Sequence, residues 1–495
     1  MKISESLSKL SYTLLAGDRD ASVREVVYDS RKAVPDGVFV CMKGSRRDSH
    51  DYIPQVLEAG VTVLVVEKEL EDLPCALPEG VTVFKVDNAR EALAHLSAAR
   101  FGYPARKLTC IGVTGTKGKT TTTYMIKAIL EAAGKKAGLI GTAGAVIGDR
   151  TWPTINTTPE SYELHQYFAK MVEEGCEYMI MEVSSQGLKM HRVDGISFDY
   201  GIFTNISRDH IGPDEHADFD EYLSCKSRLL DLCGVGLVNR DDEHFQEITK
   251  GRTCKIRTYS LDNPADFRAS DIRYVREPDF VGLEFLVGGQ ANLDVKVNIP
   301  GRFNVYNAMA AVCLCGLLKL PPEAICHGLE HIYVNGRMEI VHTSAKFTVI
   351  VDYAHNAVSM ESLLNTLRDY HPRRLVCVFG CGGNRSKDRR YSMGEIGGKL
   401  ADLCVVTSDN SRYEKPEDII ADIRGSIEKT GGAYVEIPDR REAIQYSITH
   451  AQPGDMIAVI GKGHEDYQEV NGVRHPFLDR QVIKEIITKL EQGGM

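Results

Sequence analysis

At 495 residues, 43% of them apolar and 26% charged, the chain is long enough for several hydrophobic cores, and two to four domains are expected. A formal charge of −10 argues against nucleic acid as the main partner, which demands a basic face, although one local basic pocket would still serve a nucleotide. No run approaches the roughly 18 apolar residues of a membrane span, residues 1–10 lack a secretory core, and the thirteen cysteines include no CxxC pair. Reduced thiols in a cytoplasmic protein, rather than a metal cluster, are the expectation.

In chain order, residues 1–104 alternate short β-like runs (37–42, 61–67, 81–86) with helical stretches such as Ala89–Arg100, and Phe101-Gly102-Tyr103-Pro104 reads as a linker. Residues 105–336 repeat strand, glycine-rich turn and helix: a strand over 108–113 runs through a turn into a helix over 121–133. The runs at 178–181 and 201–204 are apolar throughout, as in a parallel sheet covered on both faces, and a β-rich stretch over 255–299 is expected to decorate this domain. From 337 to 495 four apolar runs each end in a polar cluster: Asp352-Tyr353-Ala354-His355-Asn356, Gly380-Cys381-Gly382-Gly383-Asn384-Arg385, Thr407-Ser408-Asp409-Asn410-Ser411-Arg412 and Gly461-Lys462-Gly463-His464-Glu465-Asp466. Ligands of open α/β sheets sit beyond the carboxyl ends of the strands, so these clusters are expected to line one crevice. The predicted class is three-domain α/β.

The sharpest motif is Thr114-Gly115-Thr116-Lys117-Gly118-Lys119-Thr120, between an apolar strand and a helix. Its glycines let backbone N–H groups wrap a phosphate, and the helix N-terminus adds positive potential. Lys119 is placed to reach the β- and γ-phosphates of a nucleotide, and the Thr120 hydroxyl to bind Mg²⁺. The strict GxxxxGK[ST] pattern fails by one position, because Val113 stands where the first glycine belongs. Glu182 ends the next strand, where P-loop proteins place a second Mg²⁺ ligand. His210 follows a further strand; a strand-end His is usually a hydrogen-bonded loop residue, a balance that Asn205 and Asp209 beside it narrow.

Residues 114–121, with Glu182-Val183-Ser184-Ser185, Asn205-Ile206-Ser207-Arg208-Asp209-His210 and Asp352-Tyr353-Ala354-His355, resemble the Mur ligases of bacterial cell-wall synthesis. The C-terminal clusters resemble the branch of that family that adds the third residue of the peptide stem. The resemblance implies a uridine-nucleotide-binding domain (1–104), a central ATP-binding P-loop domain (105–336) and a Rossmann-like amino-acid-binding domain (337–495). It also implies a monomer working on small molecules, with neither nucleic acid nor membrane as partner. By resemblance, Tyr28, Ser30, Ser45, Arg46 and Arg47 hold the uridine end. Asn156, Thr157, Thr158, Ser184 and Arg192 hold the sugar-peptide, and Met190 stands where relatives often carry Gln. Gly115 to Thr121 with Asn304, Asn307, Arg337 and Asp352 hold ATP; Thr120, Glu182 and His210 hold Mg²⁺; and Lys226 matches a lysine carried as a carbamate. After His355 the chain reads Asn356-Ala357-Val358-Ser359 where the common family form is Thr-Pro-Asp-Ala.

The implied reaction activates the carboxylate of UDP-MurNAc-L-Ala-D-Glu as an acyl phosphate and joins it to an amine, with closure of the third domain over the second excluding water. Arg412 offers a planar fork for a carboxylate. Meso-diaminopimelate has a carboxylate at its far end and lysine does not, so Asp409, Asn410, Ser411 and Arg412, with Arg385, Gly461 and Glu465, are expected to select diaminopimelate. The family carries Pro where this chain has Ser411. The competing readings are the same ligase using L-lysine or ornithine, a folylpolyglutamate-type ligase, and a silent nucleotide-binding scaffold, against which the intact Lys119, Thr120 and Glu182 speak.

Overall fold

Valine-rich runs too short for helices build the first sheet, in the order Tyr12–Ala16, Thr82–Val86, Val63–Val66, Gly37–Val40, Glu25–Val27. All neighbours are parallel except the Tyr12–Ala16 edge. Side chains leave a strand on alternate sides, so Val38, Val40, Val63 and Val65 meet Ala92, Leu93 and Leu96 of helix Ala89–Arg100 on one face. Phe39, Leu64 and Val66 meet Ile53 and Val56 of helix Ile53–Glu58 on the other. The Asn88 side chain caps helix Ala89–Arg100 by accepting from the N–H groups of Arg90 and Glu91 at 3.0 and 3.2 Å. The helix stops where Gly102 and Tyr103 turn left-handed.

The computed structural model describes residues 1–44, 47–212 and 215–492. The chain divides into two compact units, residues 1–266 with 310–324 and residues 267–309 with 325–495. In the first, strand Thr109–Thr114 lies between Tyr178–Glu182 and Phe198–Phe203, parallel to both. Ala137–Gly141 continues the parallel sheet beyond Tyr178–Glu182, and Cys233–Asn239 then Lys255–Ser260 continue it on the other side. Chain order reverses at the Thr109–Thr114 strand, the switch point at which such sheets bind ligands.

The β-rich stretch holds strands of two kinds. Lys255–Ser260 is an ordinary parallel strand of the central sheet. Phe267–Glu277, Phe280–Gly289 and Leu293–Val297 form an antiparallel meander that belongs to the second unit. That unit also holds a six-stranded sheet, ordered Glu339–Thr343, Phe347–Asp352, Asp455–Ile460, Arg374–Phe379, Leu403–Val406, Tyr434–Glu436. Its first pair is antiparallel and the rest parallel. The four strands that end in polar clusters are therefore adjacent and point the same way. One face packs on Ala443, Ile444 and Ile448 of helix Arg440–Thr449 and on Val482, Ile483 and Ile486 of helix Asp479–Gln492.

Candidate active site

Strand Thr109–Thr114 delivers the glycine-rich loop, and Gly118, at φ +87°, turns the chain directly into helix Lys119–Ala132. Apolar periodicity puts the helix start at Thr121, but the left-handed glycine starts it two residues earlier. Lys119 and Thr120 thereby fall in the first turn, where the unpaired N–H groups and the helix dipole attract phosphate. The loop is clamped from the next strand. Asn205 accepts from the N–H groups of Thr116 and Lys117 at 2.9 and 3.0 Å and donates to Lys117 O at 3.0 Å, while the Thr204 hydroxyl donates to Lys117 O at 2.7 Å. Two ammonium groups reach one carbonyl: Lys119 and Lys226 each donate to Gly115 O at 2.8 Å. Lys226 is 1% exposed, and burial, helped by the charge of Lys119, pushes its pKa well below the ordinary lysine value.

Glu182 is buried, with the Thr120 hydroxyl 3.0 Å from each carboxylate oxygen. Thr142, which no sequence pattern singled out, donates its N–H to Oε1 at 2.9 Å and its hydroxyl to Oε2 at 3.3 Å. Thr120 and Glu182 thus form one oxygen-donor pair. His210 does not join it by any hydrogen bond or ion pair among the described residues; its Nδ1 meets Glu215 Oε1 at 2.8 Å. Behind Glu182, the Thr158 hydroxyl donates to its carbonyl and accepts from the N–H of Ser184, both at 2.9 Å. Arg192 is held by Thr158 O at 3.1 Å and Glu160 at 2.8 Å. Thr158, Ser184 and Arg192 are brought together, Thr157 meets Thr142 at 3.2 Å, and Asn156 is exposed. Met190 follows the short helix Ser185–Lys189 as its cap residue.

Tyr28 donates its phenol to Glu163, and burial followed by that carboxylate raises its pKa. Ser30 opens the turn Ser30–Lys32, Arg47 is exposed, and Ser45 and Arg46 lie outside the described residues.

In the second unit the polar loops interlock closely. A Cβ on Gly383 would stand 1.9 Å from Ser411 O, and one on Gly461 2.6 Å from Asp409 Oδ2. Asn410 is the hub: its Oδ1 accepts from Lys462 Nζ at 3.2 Å and Glu469 N at 2.9 Å, and its Nδ2 donates to Glu465 at 2.9 Å. The fully buried Lys462 ammonium also meets Glu465 at 3.1 Å, so the amide can point only one way. Arg412 stands on the loop before helix Pro416–Thr430. Its backbone is left-handed at φ +52°, tied through its N–H to Glu469 O at 3.0 Å, and its guanidinium donates to Gly383 O at 2.7 Å. Asp409, Asn410, Ser411, Arg412, Gly461 and Glu465 therefore assemble, while Arg385 is exposed on the turn before helix Lys387–Leu400. Gly383→Ala is expected to cost about 1–3 kcal/mol by forcing Ser411 away; a melting curve read beside the KM for the amino acid checks it.

Asp352 accepts from the N–H groups of Met338 at 2.8 Å and Ala354 at 2.7 Å, and burial raises its pKa. The Arg337 guanidinium lies 5.3 Å from the Tyr353 ring. Asn304 and Asn307 are buried on helix Phe303–Leu317, joined at 2.8 Å. The departure after His355 has a local explanation, for Asn356 and Ser359 form a capping box that starts helix Ala357–Arg368.

A glycine-rich loop between a central parallel strand and a helix, preceded by a small, mostly parallel sheet and followed by a second sheet of interlocked polar loops, is the layout of a multidomain α/β nucleotide-dependent enzyme. Residues 22–101 match the Mur ligase family catalytic domain, residues 113–315 the Mur ligase middle domain, and residues 336–463 the Mur ligase glutamate ligase domain. The UDP-N-acetylmuramoyl-L-alanyl-D-glutamate–2,6-diaminopimelate ligase of Clostridium tetani is 41% identical over 494 residues, covering 99% of this chain and 100% of the relative. The counterpart from Caldanaerobacter subterraneus subsp. tengcongensis is 40% identical over 480 residues, 97% of each chain. A solved structure of a ligase of that name superposes at TM-score 0.77 with 28% identity, covering 99% of both chains. The chain belongs to the Mur ligase family. Among the described residues, no helix is long and apolar enough to cross a membrane.

Proposed function

We propose that this chain is the ATP-dependent amide ligase of peptidoglycan precursor synthesis that adds meso-diaminopimelate to UDP-MurNAc-L-Ala-D-Glu in the cytoplasm. Residues 1–104 serve the uridine nucleotide, 105–336 ATP and 337–495 the amino acid. The substrate carboxylate attacks the γ-phosphorus, ADP leaves, and the amine of the amino acid displaces phosphate from the acyl phosphate. Lys119 and the first turn of its helix neutralise charge that builds on the phosphates. Thr120 and Glu182 present the hard oxygen donors that Mg²⁺ takes, and with His210 would hold an ion that screens the phosphates. Lys226 fits carbamate formation, because its depressed pKa favours the neutral amine, whose nitrogen adds to CO₂ and gives up a proton to solvent. No side chain needs to act as a covalent nucleophile; catalysis is positioning and electrostatics.

What supports the amino-acid assignment most is Arg412, whose left-handed backbone is tied to Glu469 and whose guanidinium is held by Gly383 O. Purified protein given ATP, Mg²⁺ and UDP-MurNAc-L-Ala-D-Glu is expected to release phosphate with diaminopimelate at least about a hundredfold faster than with lysine or ornithine. Equal rates with lysine would overturn the amino-acid choice, and glutamate transfer to a folate would overturn the substrate. Arg412→Lys, which trades the fork for a point charge, is expected to raise the KM for diaminopimelate about tenfold or more while leaving the KM for ATP unchanged.

A further inference from the structure

His216, Glu221 and Cys225 place an imidazole, a carboxylate and a thiol with ligand atoms all within 4.8 Å of one another. Glu221 and Cys225 are four residues apart on one face of helix Phe219–Ser227, and His216 precedes its cap, Asp218. The His216 ring is fully buried, yet neither of its nitrogens has a hydrogen-bond partner among the described residues. A buried imidazole without a partner is costly, and such groups call for an explanation. Its Nδ1 lies 3.8 Å from Glu221 Oε2, too far for a hydrogen bond but close to the separation of two ligands about 2.0–2.2 Å from one zinc ion. Lys189 pairs with Glu221 through Oε1, while Oε2 also accepts from the N–H of Ala217 at 2.6 Å.

We propose that His216, Glu221 and Cys225 form a binding site for a borderline-soft divalent cation of the zinc class, separate from the oxygen-lined Thr120–Glu182 pair. The mixed nitrogen, sulfur and oxygen donors suit zinc and disfavour magnesium. On binding, the Cys225 thiol gives its proton to solvent and its sulfur donates an electron pair to the metal. The site is coupled to the catalytic region in two ways: Lys226 follows Cys225 on the same helix, and the His216 N–H donates to His210 O at 3.1 Å. Bound metal is therefore expected to change turnover.

Cobalt(II) is the probe, because thiolate ligation produces a charge-transfer absorption that oxygen and nitrogen ligands cannot. Full-length protein in excess Mg²⁺ is expected to develop that band on adding cobalt, to lose it in Cys225→Ser, and to bind zinc about tenfold or more weakly in Glu221→Gln. Both variants avoid emptying the buried ring position, and their melting curves report that they fold. Absence of the band in the parent, or an unchanged band in Cys225→Ser, would overturn the proposal.

Discussion

Lys119→Ala is expected to lower dipeptide-dependent ADP formation roughly a thousandfold, about 4 kcal/mol of transition-state stabilisation, while the protein stays folded. The size follows from where the charge sits. Lys119 occupies the first turn of helix Lys119–Ala132 and its ammonium lies over the loop, 2.8 Å from Gly115 O and 3.1 Å from Thr116 O. A triphosphate accommodated by that loop would bring its charge against this ammonium. Lys226, the other ammonium on Gly115 O, is buried and inclined to neutrality, so it is a poor replacement. Lys119→Arg should rescue little, since a planar fork does not reproduce a compact point charge among backbone N–H groups. Stability should change little, because the loop is clamped independently by Thr204 and Asn205. A coupled ADP assay with a melting curve decides the matter; near-parental turnover would remove Lys119 from the mechanism.

Local rules carried a reader of the sequence a long way. Helix Ala89–Arg100 has the bounds its pattern announces, because the Asn88 cap and the turn that follows are written in adjacent residues. The four polar clusters were legible for the same reason, being strand ends in a parallel sheet. What escaped depended on single backbone angles or on distant partners. The left-handed Gly118 moved a helix start by two residues, and the left-handed Arg412 set its side chain across a loop. Thr142 meets Glu182 across 40 residues, Tyr28 meets Glu163 across 135, and Lys462 meets Asn410 across 52, distances over which no periodicity speaks. The orphaned ring of His216 is invisible in a string of letters, since burial without a partner is a property of packing.

Arg440 is paired with a residue distant in sequence, and its removal is expected to have the largest effect on stability. Arg440 and Asp479 are both fully buried and face each other bidentately, Nε to Oδ1 at 2.8 Å and Nη2 to Oδ2 at 2.7 Å. The guanidinium also donates to Ile460 O at 3.0 Å and Ser408 O at 3.4 Å. Ile460 ends the strand before Gly461, and Ser408 precedes Asp409, so one side chain ties together two strand ends that carry the amino-acid loops. Arg440→Ala strands the Asp479 carboxylate without a counter-charge, a change worth about 3–5 kcal/mol, a large part of an ordinary folding free energy. Replacing both partners with apolar residues, Arg440→Met with Asp479→Leu, removes the stranded charge and should return the melting temperature most of the way to the parent. It cannot restore the donors to Ile460 and Ser408. The double variant is therefore expected to be stable yet to need about tenfold more diaminopimelate for half-maximal rate, at unchanged KM for ATP. A stable double variant with a parental KM for the amino acid would show that Arg440 supports the fold alone and does not position the loops.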